Sequence, residues 1–242
     1  CRNVTLKDLS MLHCGHFALL ATGVDHLTIL NLKVDTNRDG FDIDCCRNVR
    51  ISQCTVNSPW DDAIVLKASY GLGRFQDTEN VTISDCYVSG FDKGSVMDGT
   101  WQLDEPQAPD HGFRTGRIKL GTESSGGFRN IAITNCIFEH CRGLALETVD
   151  GGHLEDIVIK LQMAYLYICK KGENSVLEYA FQLQVVTEGL VPETIKPIVD
   201  VTNLSISVWN TDRKKVVDKM ALITVDEYLG VAALPDKSQA AK

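Results

Sequence analysis

Over the first two-thirds of the chain, apolar and polar residues alternate in short bursts that resemble one another. Arg47-Asn48-Val49-Arg50-Ile51-Ser52-Gln53-Cys54 is one copy, Glu79-Asn80-Val81-Thr82-Ile83-Ser84-Asp85-Cys86 a second, and Arg129-Asn130-Ile131-Ala132-Ile133-Thr134-Asn135-Cys136 a third. Weaker copies begin at Arg2-Asn3-Val4, Asp25-His26-Leu27 and Glu155-Asp156-Ile157. A period of two predicts strands. The first apolar residue of each copy falls at 4, 27, 49, 81, 131 and 157, with steps of 23, 22, 32, 50 and 26. Three of these steps match one coil of a β-helix, roughly 22–26 residues, and the longer two predict coils that carry loops. The reading is therefore all-β: a single-stranded, right-handed parallel β-helix, a solenoid, over residues 1–160. A β-sandwich of short antiparallel strands is the alternative. The likeness of the copies and the scarcity of Asn-Gly and Asp-Gly hairpin signals argue against it.

Equivalent residues on neighbouring coils would stack roughly 4.8 Å apart. Asn48, Asn80 and Asn130 are then expected to form an Asn ladder at a turn. Cys54, Cys86 and Cys136 are expected to form an inward column of small apolar groups. Beyond residue 160 the pattern fades, although residues 199–208 regain alternation. Residues 161–242 are expected to form irregular terminal coils or a cap that continues the same domain, since an exposed coil end needs cover.

The bulk numbers narrow the function. In 242 residues, 44% are hydrophobic and 23% charged, an ordinary globular composition. The formal net charge of −8 argues against nucleic acid as a partner. No apolar run approaches the roughly 18 residues of a membrane span, so no membrane partner is expected. The first residues already read as strand repeat, so the true N-terminus and any signal are expected upstream. Of the nine cysteines none forms a Cys-x-x-Cys pair, which argues against zinc. Buried stacked thiols are favoured over disulfides.

Carboxylates concentrate in two places, Asn37-Arg38-Asp39-Gly40-Phe41-Asp42-Ile43-Asp44 and Pro59-Trp60-Asp61-Asp62. Asp39 and Asp62 are 23 residues apart, one coil, so Asp39 and the Asp61-Asp62 pair are expected on one face. Clustered carboxylates repel, which raises at least one pKa and keeps a proton available. An acid beside a base is what glycosidic cleavage needs. Spacing alone also leaves open Ca²⁺ binding through oxygen ligands, and turn-forming aspartates on a solvated edge.

At these residues the chain resembles the polygalacturonase family, glycoside hydrolase family 28. Its first motif, Asn-Thr-Asp-Gly before an Asp-Ile-Asp-like strand, is similar to residues 37–44, with Arg38 in place of Thr. Its second, Asp-Asp before an apolar strand ending in Lys, is similar to Asp61-Asp62-Ala63-Ile64-Val65-Leu66-Lys67. The resemblance covers about residues 1–160. It implies hydrolysis of a pectin-type polysaccharide with inversion, no cofactor and no metal, in a secreted or periplasmic monomer. It implies Asp61 as general acid, and Asp39 and Asp62 as the bases that hold the attacking water. Inversion needs carboxyl groups roughly 6.5–9.5 Å apart.

Two motifs depart from the family's pattern. The histidine of its Gly-His-Gly motif falls at Gly116. The Arg and Lys of its Arg-Ile-Lys motif fall at Ala145 and Glu147, while Arg117-Ile118-Lys119 spells that tripeptide one coil earlier. In the family the Arg and Lys hold the galacturonate carboxylate. Either the sugar in this subsite is not galacturonate, or Arg117 and Lys119 supply the charge from the neighbouring coil. His111, in a long loop, is a candidate replacement for the histidine. The candidate substrate contacts are Asn37, Trp60, Lys67, Arg117, Lys119, Glu147 and His111. Trp60 and Trp101 are candidate sugar platforms, Arg38 and Lys67 candidate partners of the aspartates, and Glu123 and Asp150 candidate cleft residues. A non-catalytic carbohydrate-binding or adhesin-like β-helix and a Ca²⁺-dependent polysaccharide lyase remain as alternative functions.

Overall fold

The computed structural model describes residues 1–104 and 114–163 and, beyond these, the backbone of a few short strands. The protein is all-β with one short helix. Its strands come in repeating threes: β1 (Arg2–Lys7), β2 (Ser10–Leu12) and β3 (Phe17–Thr22); then β4 (Asp25–Leu30), β5 (Lys33–Asp35) and β6 (Asp39–Asp44); then β7 (Arg47–Ser52), β8 (Thr55–Asn57) and β9 (Ile64–Ala68). The fourth set is β10 (Thr78–Ser84), β11 (Tyr87–Ser89) and β12 (Ile118–Ser124). The fifth is β13 (Phe128–Thr134), β14 (Ile137–Glu139) and β15 (Leu144–Thr148), and β16 (Leu154–Met163) opens a sixth. Each strand pairs in parallel with its counterpart in the next set, which makes three parallel sheets. We call them the first, second and third sheets after β1, β2 and β3.

The apolar alternation of the repeat becomes columns of stacked side chains. In the first sheet Leu27, Val49, Val81, Ile131 and Ile157 align across five strands, as do Ile29, Ile51, Ile83, Ile133 and Ile159. In the third, Phe41, Ile64, Ile118 and Leu144 form a column beside Ile43, Leu66, Leu120 and Leu146. All of these side chains are buried in one core. Repetition of one side-chain type along a column is what a parallel sheet of equivalent strands demands, because each residue packs on its own copy on the neighbouring strands.

Cys54, Cys86 and Cys136 are buried free thiols, and no disulfide occurs among the described residues. The amide of Asn130 donates to Asn80 Oδ1 at 3.1 Å, and that of Asn80 to Asn48 Oδ1 at 3.3 Å. The Asn ladder therefore exists, but its place differs from the expected turn. These asparagines lie inside β7, β10 and β13, at left-handed φ of 57°, 57° and 53°. The strand kinks there, and Asn tolerates that conformation better than most residues because its short polar side chain bonds locally.

The two longer steps carry loops, as the spacing predicts. One follows β9. The other, after β11, holds α1 (Ser95–Asp98) and returns at β12. Asp35 secures this second loop from inside. It is fully buried, and its carboxylate accepts from the backbone N–H of Gly94 (2.7 Å), Val96 and Met97 (2.9 Å each) and from the Asn57 amide (2.8 Å). Past β16, the strand Leu183–Thr187 continues the third sheet and Ser205–Asn210 the first, both in parallel. No helix among the described residues is long and apolar enough to cross a membrane.

Candidate active site

The third sheet carries the acidic cluster on its outer face, where β6 and β9 meet. Phe41 pairs with Ile64, so Asp39 and Asp62 stand in register two residues earlier. The backbone locks this alignment, with Gly40 N–H donating to Asp62 O at 2.9 Å and Phe41 N–H to Ala63 O at 2.9 Å. A side chain at Gly40 would meet Ala63 O at 2.3 Å and Val56 Cγ1 at 2.4 Å, so β6 reaches this position only with glycine beside Asp39. Asp61 joins from the preceding turn. Its carboxylate accepts from the Asp62 N–H at 3.0 Å, and Asp39 Oδ1 accepts from the same N–H at 3.2 Å.

Asp39, Asp61 and Asp62 bring one oxygen each to within 4.8 Å of one another. Asp39 and Asp62 come this close because residues facing across adjacent strands are held about one strand spacing apart. Asp39 and Asp62 are buried, while the Asp61 side chain keeps 23% of its exposure and is the member open to solvent.

Each carboxylate has a different cation. Asp61 faces Arg38 Nη1 at 3.4 Å. Asp62 receives Arg117 Nε at 2.6 Å and lies 3.4 Å from Lys119 Nζ. Among the described residues, the cation facing Asp39 is the more distant Lys67, at 3.8 Å, which is drawn closer to Asp42 (2.8 Å) and Glu123 (3.3 Å). Burial, with Asp61 and Asp62 as like-charged neighbours, pushes Asp39 up to about 8. Near neutral pH Asp39 thus keeps its proton. The same three oxygens are close enough to serve one cation, yet Arg38, Lys67, Arg117 and Lys119 already compensate their charge.

The raised Asp39 links to stability with a definite sign. Its folded value lies above its unfolded one, so the native state holds a proton that the unfolded chain releases between about pH 4 and 8. The stabilisation is fully present below the unfolded value and is lost as pH rises through about 8. Thermal midpoints are expected to fall over that interval in the wild type. In Asp39→Asn, which cannot ionise, the fall should be flatter and the variant should melt higher than the wild type at pH 9. Differential scanning calorimetry across pH checks this, and parallel curves for the two proteins would remove Asp39 as the proton's holder.

The remaining candidates sort by position. Arg117 and Lys119 rise from β12 over Asp62 and both reach Glu147 of β15, at 3.5 and 3.2 Å. Glu147 is buried between them rather than open to the cleft as expected. Arg142 lies near enough to feel Arg117, Asp62 and Glu147. Trp60 borders Asp61, half-buried, with Lys93 Nζ 5.6 Å from its ring centre and its N–H on Asn37 O at 3.0 Å. Asn37 is half-buried next to the cluster. Trp101 packs on Phe91 and Tyr87, with ring centres 5.2 and 6.2 Å apart, and not on the carboxylates. Asp150 accepts from the Ser124 N–H at 2.9 Å and so closes a turn, whereas Glu123 does reach the cluster through Lys67. His111 lies outside the described residues.

At Gly116, any side chain would meet Ser89 O at 2.3 Å, and φ is +50°. A histidine is therefore excluded from this position by the packing. The loop returns here, with Thr115 N–H on Pro59 O and Gly116 N–H on Asp61 O. Its base thereby forms one wall beside Asp61. Phe17 escaped sequence reasoning. It pairs with Asp39 on β3, and Lys67 stands 5.8 Å from its ring centre. Its offset of 22 residues from Asp39 was the available signal, in a coil whose repeat is weak.

Compared with protein-family models, with curated proteins and with solved structures, the chain matches none.

Proposed function

We propose that this protein is a glycoside hydrolase acting on a pectin-type or related polysaccharide, built on a right-handed parallel β-helix. The observation that carries the reading is the convergence of three carboxylates on one sheet face, Asp39 pushed up to about 8 by burial and its acidic neighbours, with Asp61 at the solvent side. Glycoside hydrolysis needs a pairing of a protonated and an ionised carboxyl. A carboxylic acid donates its proton to the glycosidic oxygen as the C1–O bond breaks. A carboxylate removes a proton from water as the water oxygen bonds to C1. Asp61, the exposed member, is placed to meet the leaving oxygen, and Asp39 stores the proton that the cluster needs. Asp62, with Arg117 and Lys119 against it, serves as base. Glycoside hydrolase family 28, resembled in the Asp39 and Asp61-Asp62 motifs, uses acids matching Asp61 as general acid and Asp62 as base; a protonated Asp39 departs from its pattern of two bases.

Incubation with a panel of plant and bacterial polysaccharides, read as new reducing ends, tests the assignment. Hydrolysis of at least one substrate is expected. Absence of any cleavage, with binding to a polysaccharide retained, would leave a carbohydrate-binding β-helix in its place. Unsaturated products absorbing in the near ultraviolet would instead indicate a lyase. The family resemblance leads to inversion, which needs room for a water between acid and base. NMR of the first-formed anomer decides: an inverted product is expected, and a retained one would replace the water-activating role of Asp62 by covalent attack.

A further inference from the structure

We infer that the subsite over Arg117, Lys119 and Glu147 takes a neutral sugar ring rather than a uronate. This deepens the hydrolase reading and rests on it. Arg117 and Lys119 are the cations that could hold a sugar carboxylate beside the acidic cluster. Each already bridges two protein carboxylates. Arg117 lies 2.6 Å from Asp62 and 3.5 Å from Glu147, and Lys119 lies 3.4 and 3.2 Å from the same two. The four groups close a square of alternating charge.

The square is nearly dry. Its side chains keep 10, 12, 5 and 6% of their exposure, for Arg117, Lys119, Asp62 and Glu147 in turn. A uronate that drew Arg117 or Lys119 away would leave a buried carboxylate uncompensated, which is strongly unfavourable. A uronate added without displacing them would face Glu147 as a like charge. Carboxylates accept hydrogen bonds, and the hydroxyls of a neutral ring donate them. The outer oxygens of Asp61 and Glu123 suit such a guest, as does the apolar face of Trp60.

The test uses polygalacturonate and rhamnogalacturonan, each beside its own carboxyl-reduced form, together with neutral plant polysaccharides. Reducing the carboxyls keeps linkage and ring stereochemistry and removes only the charge. Reducing-end release from neutral members at about tenfold or more the rate from acidic members is expected, a difference worth 1.4 kcal/mol. Faster cleavage of acidic members would overturn the inference and leave the hydrolase reading intact.

If nothing is cleaved, the hydrolase reading fails by itself, and binding of the same polysaccharides by affinity electrophoresis decides the sugar class. Retardation by neutral members supports the inference; retardation by acidic members, or by none, overturns it. Glu147→Gln keeps the shape of the square and releases both cations from one acid. In whichever assay gives signal, its ratio of acidic to neutral response is expected to rise about tenfold over the wild type. An unchanged ratio in a variant with native circular dichroism would also overturn the inference.

Discussion

Asp61→Asn is expected to reduce reducing-end release by about 10²–10⁴-fold, with the melting temperature little changed. The separation of the two effects follows from the surroundings of Asp61. Its side chain is the exposed member of the trio, and its contacts are Arg38 at 3.4 Å and the Asp62 N–H at 3.0 Å. The two contacts use different oxygens, so asparagine keeps one of them through its Oδ1 and gives up only one partly exposed contact. The acid proton for the leaving oxygen is what disappears. A second signature distinguishes this from general damage: Asp61 is the largest like-charged influence on Asp39, after burial, in holding it at about 8. Asp61→Asn should therefore bring the cluster's upper titration down, and the steep part of the wild type's stability–pH curve should move to lower pH. Asp62→Asn should be inactive too, but less stable, because Arg117 and Lys119 lose the acid they share. Reducing-end assays and calorimetry on both variants make the comparison. An Asp61→Asn protein with wild-type activity would end the assignment.

Asp35→Ala is expected to destabilise the fold by roughly 2–4 kcal/mol, since buried donors lose their acceptor. For a chain of this size that corresponds to about 5–15 °C in melting temperature. Three backbone N–H groups, from Gly94, Val96 and Met97, and the Asn57 amide all converge on this carboxylate. Methyl cannot replace any of those bonds, and the site is closed to water. Asp35→Asn keeps one acceptor oxygen and should lose about half as much. The consequence reaches the active site, because the loop that Asp35 secures returns along Pro59 and Asp61. Hydrogen exchange at Val96 and Met97 should accelerate in Asp35→Ala before global unfolding does. Unchanged exchange together with an unchanged melting temperature would show that the loop is held elsewhere.

Asp35 also marks a limit of sequence reading. Nothing about Lys33-Val34-Asp35 distinguishes this aspartate from a solvated strand end. Its three backbone partners lie about 60 residues away, in a loop without periodicity. Gly116 is a similar case. By motif it is a missing histidine, whereas Ser89 O leaves room only for glycine. Glu147 was expected to face the cleft, and burial between Arg117 and Lys119 reverses its meaning.

What the sequence determined by itself is the parallel stacking and the meeting of Asp39 with Asp61 and Asp62. Both follow from one number, the step between repeats, because a regular coil converts an offset of 23 residues into adjacency across a strand. Column identity, such as Val49 on Val81 on Ile131, is legible for the same reason. What only the tertiary structure decided is the state of the charges. Whether Asp39 keeps its proton depends on burial and on which cation lies nearest. Whether Arg117 and Lys119 are open to a ligand depends on Glu147 pointing between them. Those are matters of a few ångströms among side chains from four different coils. Periodicity places backbones next to one another, but it does not say which side chains will spend their charge on each other.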